Sequence, residues 1–226
     1  MTLLNYLLTD EAVYVLADTL LSDPDDLSPV AFASKIHALP HLEALICGTG
    51  HAQAIAEWVA TVNTELVVRD VADLDRLAPA ELRKLHARHP GAGAGQPEIA
   101  TTLHHFGLDA RAGRFAGFAY ASASDFRSEP LAQGFGLKPA PDWPVDGRSI
   151  TRLPEHLVAV AQRQKAQDET ADAGKRVVIG GKLIFGAMQR VGGPAGPTVQ
   201  TSLAICHAFP DFEQLYTQAG ARPPRS

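Results

Sequence analysis

The sequence predicts an α+β fold, a four-layer αββα sandwich in which two antiparallel sheets pack face to face between helices. Strand-like runs open the chain, recur after residue 99 and close it, while segments between them show the apolar spacing of helices. The opening strands do not alternate cleanly between apolar and polar residues, which is typical of sheets covered on both faces. The 226 residues suit one domain over 1–226, with a frayed tail over 216–226.

The first predicted element is a β-hairpin formed by residues 2–9 and 12–18. Both runs are rich in β-branched, aromatic and leucine side chains, and two acidic residues lie between them. A two-residue turn would place Thr2 opposite Thr19, whereas a three-residue or bulged turn would place it opposite Asp18. In both registers the Asp18 carboxylate lies at the end of the hairpin that holds Thr2.

A buried strand within residues 41–48 precedes the first predicted helix, which begins near His51. The apolar stripe of this helix is predicted to comprise Ala52, Ile55, Ala56, Val59 and Val62. A second helix is predicted to begin at Pro79 and to end before Pro90, because the fixed φ of proline suits a first helical position. The following GAGAG over 91–95 comes after a helix and not after a strand, so it predicts a surface loop and no nucleotide-binding loop.

The second half of the chain reads as strands, one helix and strands again. Two strands are predicted to meet at a turn around Ala112–Gly113, and a long helix follows Pro154. Two more strands are predicted within 176–190 and 198–209. This order suits antiparallel sheets with helices on their outer faces.

Composition excludes several classes of function. The formal net charge is -5 and no basic run occurs, which argues against a nucleic-acid surface. No stretch approaches the roughly 20 apolar residues of a membrane span, and the first residues lack the basic region of a signal peptide. Two cysteines suit a reducing cytoplasm, so a cytoplasmic protein is expected. The nine histidines lack the spacing of a zinc site, so neither a metal nor a cofactor is predicted.

A threonine near the N-terminus can carry both a nucleophile and a base. Its hydroxyl is a poor nucleophile at neutral pH and needs a base within hydrogen-bond reach. A free α-amino group, with a pKa of about 7.7–8.0, supplies one on the same residue. Thr2 meets this condition only after Met1 is removed. Lys35 is the nearest basic partner that Asp18 could orient, and a lysine beside the hydroxyl would help its proton to leave.

The opening of the chain resembles a known family. The segments TLLNYLLTDEAVYVLAD, SKI and LEALICGTGHAQAIAEWV resemble the first part of 20S proteasome β-subunits and of the bacterial HslV peptidase. The resemblance extends over residues 2–62, continues more loosely over 99–137 and is weak beyond 140. It implies the N-terminal-nucleophile (Ntn) hydrolase fold.

The resemblance also implies a threonine peptidase and a role for each matching residue. Thr2 Oγ would attack the peptide carbonyl with the Thr2 amine as base. Lys35 would activate the hydroxyl electrostatically, Asp18 would position Lys35, and the Gly48 N–H would stabilise the oxyanion. The implied partners are a peptide or unfolded protein as substrate, further copies of the chain in a closed ring, and an ATPase unfoldase.

The chain departs from the family pattern in two places. Leu137 or Lys138 stands where the family often has a serine that helps to hold the catalytic amine. In the family's Asp-x-x-Ser, Asp168 is a loose match for the aspartate, and Ala171 replaces the serine.

Four alternatives remain open from the sequence. The chain could be an Ntn amidohydrolase that acts on a small amide, or a catalytically silent assembly or scaffold protein on the same fold. Lys35 and Asp18 could form a buried structural ion pair. Gly48 and Gly50 could end a strand and free the start of a helix, which is compatible with an oxyanion role.

Overall fold

A computed structural model of the chain describes residues 3–89, 100–145, 152–193 and 196–221. Met1, Thr2 and the glycine-alanine segment 91–95 lie outside the described residues. The described strands are β1 (Leu4–Leu8), β2 (Ala12–Asp18), β3 (Leu20–Ser22), β4 (Pro29–Phe32), β5 (Ile36–Leu39), β6 (Ala44–Thr49), β7 (Thr102–Asp109), β8 (Arg114–Ala121), β9 (Glu129–Pro130), β10 (Gly134–Lys138), β11 (Lys182–Gly193) and β12 (Gly196–Ala208). The described α-helices are α1 (Ala52–Thr64), α2 (Val71–Arg88), α3 (Glu155–Thr170) and α4 (Phe212–Gly220).

The strands form two five-stranded antiparallel sheets. The first has the order β10-β1-β2-β11-β12, the second has the order β5-β6-β7-β8-β9, and β3 and β4 form a separate pair. One apolar cluster contains buried side chains from both large sheets, among them Val15, Leu45 and Phe106. The prediction of a mixed α+β chain with antiparallel sheets is confirmed.

The opening hairpin adopts the register of the two-residue turn. Leu4 pairs with Ala17 and Leu8 pairs with Val13. The Thr9 N–H donates to the Ala12 carbonyl at 2.9 Å, which closes the turn. This register brings the start of β1 beside the end of β2.

Helix α1 begins where it was predicted but turns a different face to the core. The His51 imidazole caps the helix, because its Nδ1 accepts the Ala54 N–H at 3.2 Å. The buried face consists of Ala54, Ile55, Trp58 and Val62. Ala52 and Ala56 of the predicted stripe are exposed. The large indole of Trp58 sets this rotation, because burying it removes more apolar area from water than burying two alanine methyls.

The predicted start of the second helix at Pro79 is wrong, since α2 begins at Val71 and contains Pro79 in its interior. The Asp70 carboxylate accepts the Asp73 N–H at 2.8 Å and caps the helix. The buried positions Val71, Leu74, Ala78, Leu82 and Leu85 follow helical spacing on both sides of the proline. The cap and the continuous apolar face therefore outweigh the preference of proline for a first helical position.

The predicted elements of the second half are present, with two additions. The turn between β7 and β8, the helix after Pro154 and the two closing strands lie where they were expected. The short strands β9 and β10 were not predicted. Of the tail expected to be frayed over 216–226, the part up to Gly220 belongs to helix α4, and residues 222–226 lie outside the described residues. The rings of Phe212 and Tyr216 pack at 5.3 Å and 6.1 Å from the ring of Phe32, which holds this helix against β4.

Two neighbouring imidazoles are buried in strand β7. The indole N–H of Trp58 donates to His105 Nε2 at 2.9 Å, and the His105 side chain is fully buried. Burial, together with the neighbouring His104, lowers the pKa of His105 to about 3. Burial, together with the charge of Lys138, lowers the pKa of His104 to about 4. Both rings are therefore neutral in the folded protein near pH 7.

We expect these two histidines to make the fold sensitive to acid. Below an unfolded pKa of about 6.5 the unfolded chain binds protons that the folded chain does not. The free energy of unfolding therefore falls as the pH falls from about 6.5 toward the folded pKa values, by up to about 1.4 kcal/mol per pH unit for each ring. The His105→Gln variant, which keeps an acceptor for the indole, should show a shallower slope in urea unfolding between pH 6.5 and 4.5. An unchanged slope would contradict the burial of a neutral ring.

Candidate active site

A buried ion pair joins the end of β2 to the start of β5. The Lys35 ammonium lies 2.8 Å from Asp18 Oδ1, and the exposed fractions of the two side chains are 5% and 0%. Lys35 Nζ also donates to the Leu20 carbonyl at 2.6 Å. Burial lowers the pKa of Lys35, and the adjacent Asp18 carboxylate opposes this effect. The structure thus brings together two of the predicted site residues.

The Asp18 carboxylate is also bound by two backbone N–H groups. Its Oδ1 accepts from the Leu3 N–H at 3.1 Å, and its Oδ2 accepts from the Gly180 N–H at 3.2 Å. Three donors from three separate parts of the chain therefore converge on one carboxylate. Since Leu3 directly follows Thr2, Asp18 fixes the backbone beside the predicted nucleophile, although Thr2 itself lies outside the described residues.

Gly48 lies close to Lys35, and no side chain fits at this position. A Cβ on Gly48 would lie 2.7 Å from the side chain of Ile55 in α1. The Gly48 N–H donates to the Lys35 carbonyl at 3.4 Å. Gly50 requires glycine for a second reason, because its φ is +107° and a Cβ would lie 2.3 Å from the Ala100 carbonyl oxygen. The two glycines allow helix α1 and the segment before β7 to approach the end of β6.

A small cavity opens beside Lys35 and Gly48. Its volume is about 140 Å³. Residues that line it include Leu21, Ala33, Lys35, His37, Gly48 and Ile55. The walls are mostly apolar and small, so the cavity suits a short apolar group next to the ion pair.

Asp168 does not contact the ion pair directly. Its Oδ1 accepts the Val177 N–H at 2.6 Å, and its Oδ2 accepts the N–H groups of Val178 and Ile179 at 2.9 Å and 3.2 Å. Asp168 thereby holds the segment that ends at Gly180, whose N–H binds Asp18. Ala171 follows the last turn of α3 as its C-cap.

Lys138 lies at the same end of the first sheet, and its role was not recognised from the sequence. Strand β10 pairs with β1, with Lys138 opposite Leu4. Lys138 Nζ donates to Thr49 Oγ1 at 3.0 Å, so its side chain connects the first sheet to the end of β6. These contacts depend on a pairing between strands separated by more than a hundred residues, and no local pattern in the sequence indicates it.

The described residues contain no group of three or more His, Cys, Asp or Glu side chains that could hold a metal ion. No helix in the described part of the chain is long and apolar enough to cross a membrane.

Comparison with known proteins identifies the fold. No protein-family model matches the chain. No curated protein sequence matches it. Among solved structures, the Gly-1 mutant of Anbu from Hyphomicrobium sp. strain MC1 matches with a TM-score of 0.61 and 14% identity, over 98% of this chain and 93% of that chain. Anbu from Yersinia bercovieri, described as an ancestral beta-subunit, matches with a TM-score of 0.61 and 12% identity, over 100% and 99% of the two chains.

The chain therefore has a proteasome-like fold similar to that of the Anbu β-subunits. Identities of 12–14% show the fold alone and transfer no activity. The family assignment made from residues 2–62, to the 20S proteasome β-subunits and HslV peptidase, is wrong. The matching residues are few and widely spaced, and the two solved structures described above, which match over nearly the whole chain, are Anbu chains.

We expect Lys35→Met to destabilise the fold by about 3–5 kcal/mol, because it leaves the Asp18 carboxylate buried without a cation. The double variant Lys35→Met/Asp18→Asn should lose less, since no charge then remains buried. Lys84→Met, at a lysine that is 68% exposed, is the control and should stay within about 0.5 kcal/mol of wild type. Urea unfolding measures all three. Equal losses for the single and double variants would contradict the ion pair.

Proposed function

We propose that this chain is an N-terminal-nucleophile hydrolase that uses Thr2, exposed by removal of Met1, to cleave peptide bonds. The observation that carries the proposal is the buried Asp18–Lys35 pair, whose carboxylate also binds the Leu3 N–H. Consecutive Cα atoms are about 3.8 Å apart, so residue 2 begins within one peptide unit of this anchored amide. The pair would then lie beside the threonine hydroxyl.

The chemistry follows from these neighbours. The free Thr2 amine takes the proton of the hydroxyl, and the Oγ attacks the amide carbonyl to form a tetrahedral oxyanion. The Lys35 ammonium lowers the pKa of the hydroxyl electrostatically, while Asp18 fixes the position of Lys35. Collapse of the intermediate releases the amine product, and water then hydrolyses the acyl-enzyme ester.

The Gly48 N–H is the proposed oxyanion donor. Its present hydrogen bond to the Lys35 carbonyl is 3.4 Å long, which exceeds the ordinary range for an N–H···O bond. A negatively charged oxygen forms a shorter and stronger bond and would therefore compete for this donor. The adjacent cavity of about 140 Å³ would accept a small apolar side chain on the acyl side of the scissile bond.

The same proposal includes a single domain, a four-layer αββα arrangement and assembly into a homo-oligomer. The likeness to Anbu, named as a beta-subunit in one of the matching structures, supports the assembly. A closed ring would hide the active sites and restrict the substrates to peptides and unfolded proteins, which an ATPase unfoldase could deliver.

A catalytically silent scaffold protein is the second candidate function. The observation that favours it is that the Gly48 N–H and the Asp168 carboxylate already bind backbone groups of the chain. The Gly48 N–H already has an acceptor, and both oxygens of Asp168 bind backbone N–H groups of the segment before Gly180. In this alternative the Asp18–Lys35 pair is purely structural.

We expect the protein from its native host to lack Met1 in intact mass spectrometry.

The decisive variants change Thr2. Thr2→Ala should abolish cleavage of short fluorogenic peptides, because the nucleophile is lost, while its thermal midpoint stays close to that of wild type. Thr2→Ser should retain part of the activity, since the amine and a hydroxyl both remain.

Two results would defeat the peptidase proposal and favour the scaffold. One is a homogeneous protein from the native host that retains Met1, because its amine is then blocked. The other is a trimmed wild-type protein that neither cleaves peptides nor reacts with acylating reagents directed at threonine.

Assembly is tested separately from catalysis. Light scattering of the wild-type protein at micromolar concentration should give a mass well above that of a dimer. A monomer would exclude the closed ring and would favour an amidohydrolase that acts on small amides.

A further inference from the structure

Lys138 is held in a fixed position by a buried pair of amide side chains. Asn5 and Gln164 are both fully buried, and Asn5 Nδ2 donates to Gln164 Oε1 at 2.6 Å. The Lys138 N–H donates to Asn5 Oδ1 at 3.3 Å, and Gln164 Nε2 donates to the Pro139 carbonyl at 2.6 Å. Buried amides that bind the backbone in this way restrict where the lysine side chain can reach.

The Lys138 ammonium makes one hydrogen bond to the part of the chain that the structure describes. Its one polar partner among the residues that the structure describes is Thr49 Oγ1, at 3.0 Å. An ammonium group carries three N–H donors, and a hydroxyl that accepts one of them still has its own hydrogen to donate. Burial lowers the pKa of Lys138, so the environment disfavours the charged group unless an anion joins it.

This donor group lies next to the proposed active site but on the other face of β6. Successive residues of a strand point to opposite faces, and Gly48 of β6 lines the small cavity beside Lys35. Thr49, the next residue, therefore points away from that cavity, toward Lys138. On the first sheet, Lys138 lies opposite Leu4, near the start of β1.

We propose that Lys138 Nζ and the Thr49 hydroxyl bind a carboxylate of the substrate. The inference rests on the proposed function and narrows its substrate class to short peptides or acyl amino acids with a free carboxylate close to the scissile amide. One cation and one hydroxyl match a singly charged anion. A phosphate carries more negative charge than one ammonium balances, and the contacts of Lys138 with the described residues include no second cation.

The test compares two probes that differ only in charge, N-acetyl-alanyl-alanine and its carboxamide. Their cleavage is measured as kcat/KM for wild type, Lys138→Met, Lys138→Arg and Thr49→Val. Wild type should prefer the carboxylate probe by about tenfold or more, the factor expected for one charge-assisted hydrogen bond. Lys138→Met should abolish this preference, because its kcat/KM should fall for the carboxylate probe and stay unchanged for the carboxamide probe. Lys138→Arg should keep it, and Thr49→Val should reduce it.

Binding of the same probes to the Thr2→Ala variant, with and without Lys138→Met, separates this inference from the proposed function. A carboxylate preference in binding that Lys138→Met removes supports the inference, even if wild type cleaves neither probe. Equal binding of the two probes to Thr2→Ala overturns it. An equal fall in the affinity for both probes in Lys138→Met also overturns it, because the lysine then has a structural role. Lys84→Met, on the outer face of α2, is the matched control for removing a lysine charge, and the thermal midpoint of each variant establishes that it is folded.

Discussion

The arrangement of the candidate site depends on the satisfaction of one buried carboxylate. Asp18 is fully buried, and an unpaired charge in such a place would cost several kcal/mol. The backbone of Leu3, the ammonium of Lys35 and the backbone of Gly180 all donate to it. Leu3 directly precedes β1, Lys35 directly precedes β5 in the second sheet, and Gly180 lies in the segment before β11. The requirement to satisfy Asp18 therefore fixes the relative positions of three parts of the chain.

Asp168 extends the same arrangement by one more step. It binds three successive backbone N–H groups at Val177, Val178 and Ile179, and so sets the path of the segment whose next residue donates to Asp18. Val178 has a positive φ of 59°, a conformation that is uncommon for a β-branched residue. The hydrogen bonds of Asp168 compensate for that backbone conformation. The buried carboxylates of Asp18 and Asp168 thus fix the backbone segments that lie next to the proposed nucleophile.

The two lysines of this region have different environments, which supports different roles. Lys35 has a carboxylate partner and is almost fully buried, so its charge is balanced within the protein. Lys138 is half-buried and binds a neutral hydroxyl. Its charge is balanced by no carboxylate among the described residues within ion-pair distance. This contrast is the reason why we assign Lys35 to the proposed chemistry and Lys138 to the recognition of a substrate anion.

The sequence by itself determined the features that depend on neighbouring residues. The opening hairpin, the helix that begins after His51 and the helix that follows Pro154 all lie where apolar spacing, turn residues and caps predicted them. Lys35 was also named from the sequence as the nearest basic partner of Asp18, with a buried ion pair as one alternative, and the two side chains are in contact. Their catalytic roles stay predictions.

Only the tertiary structure decided the features that depend on contacts between distant residues. The face of α1 is set by the burial of Trp58 against His105, and the backbone at Lys138 is held by Asn5 and Gln164, which are 159 residues apart in the chain. The cavity beside Gly48 and the partners of Asp168 are likewise formed by segments that meet only in the folded chain. Apolar periodicity and turn residues depend on amino acids that are close in the sequence. These contacts, in contrast, are selected by the packing of whole sheets.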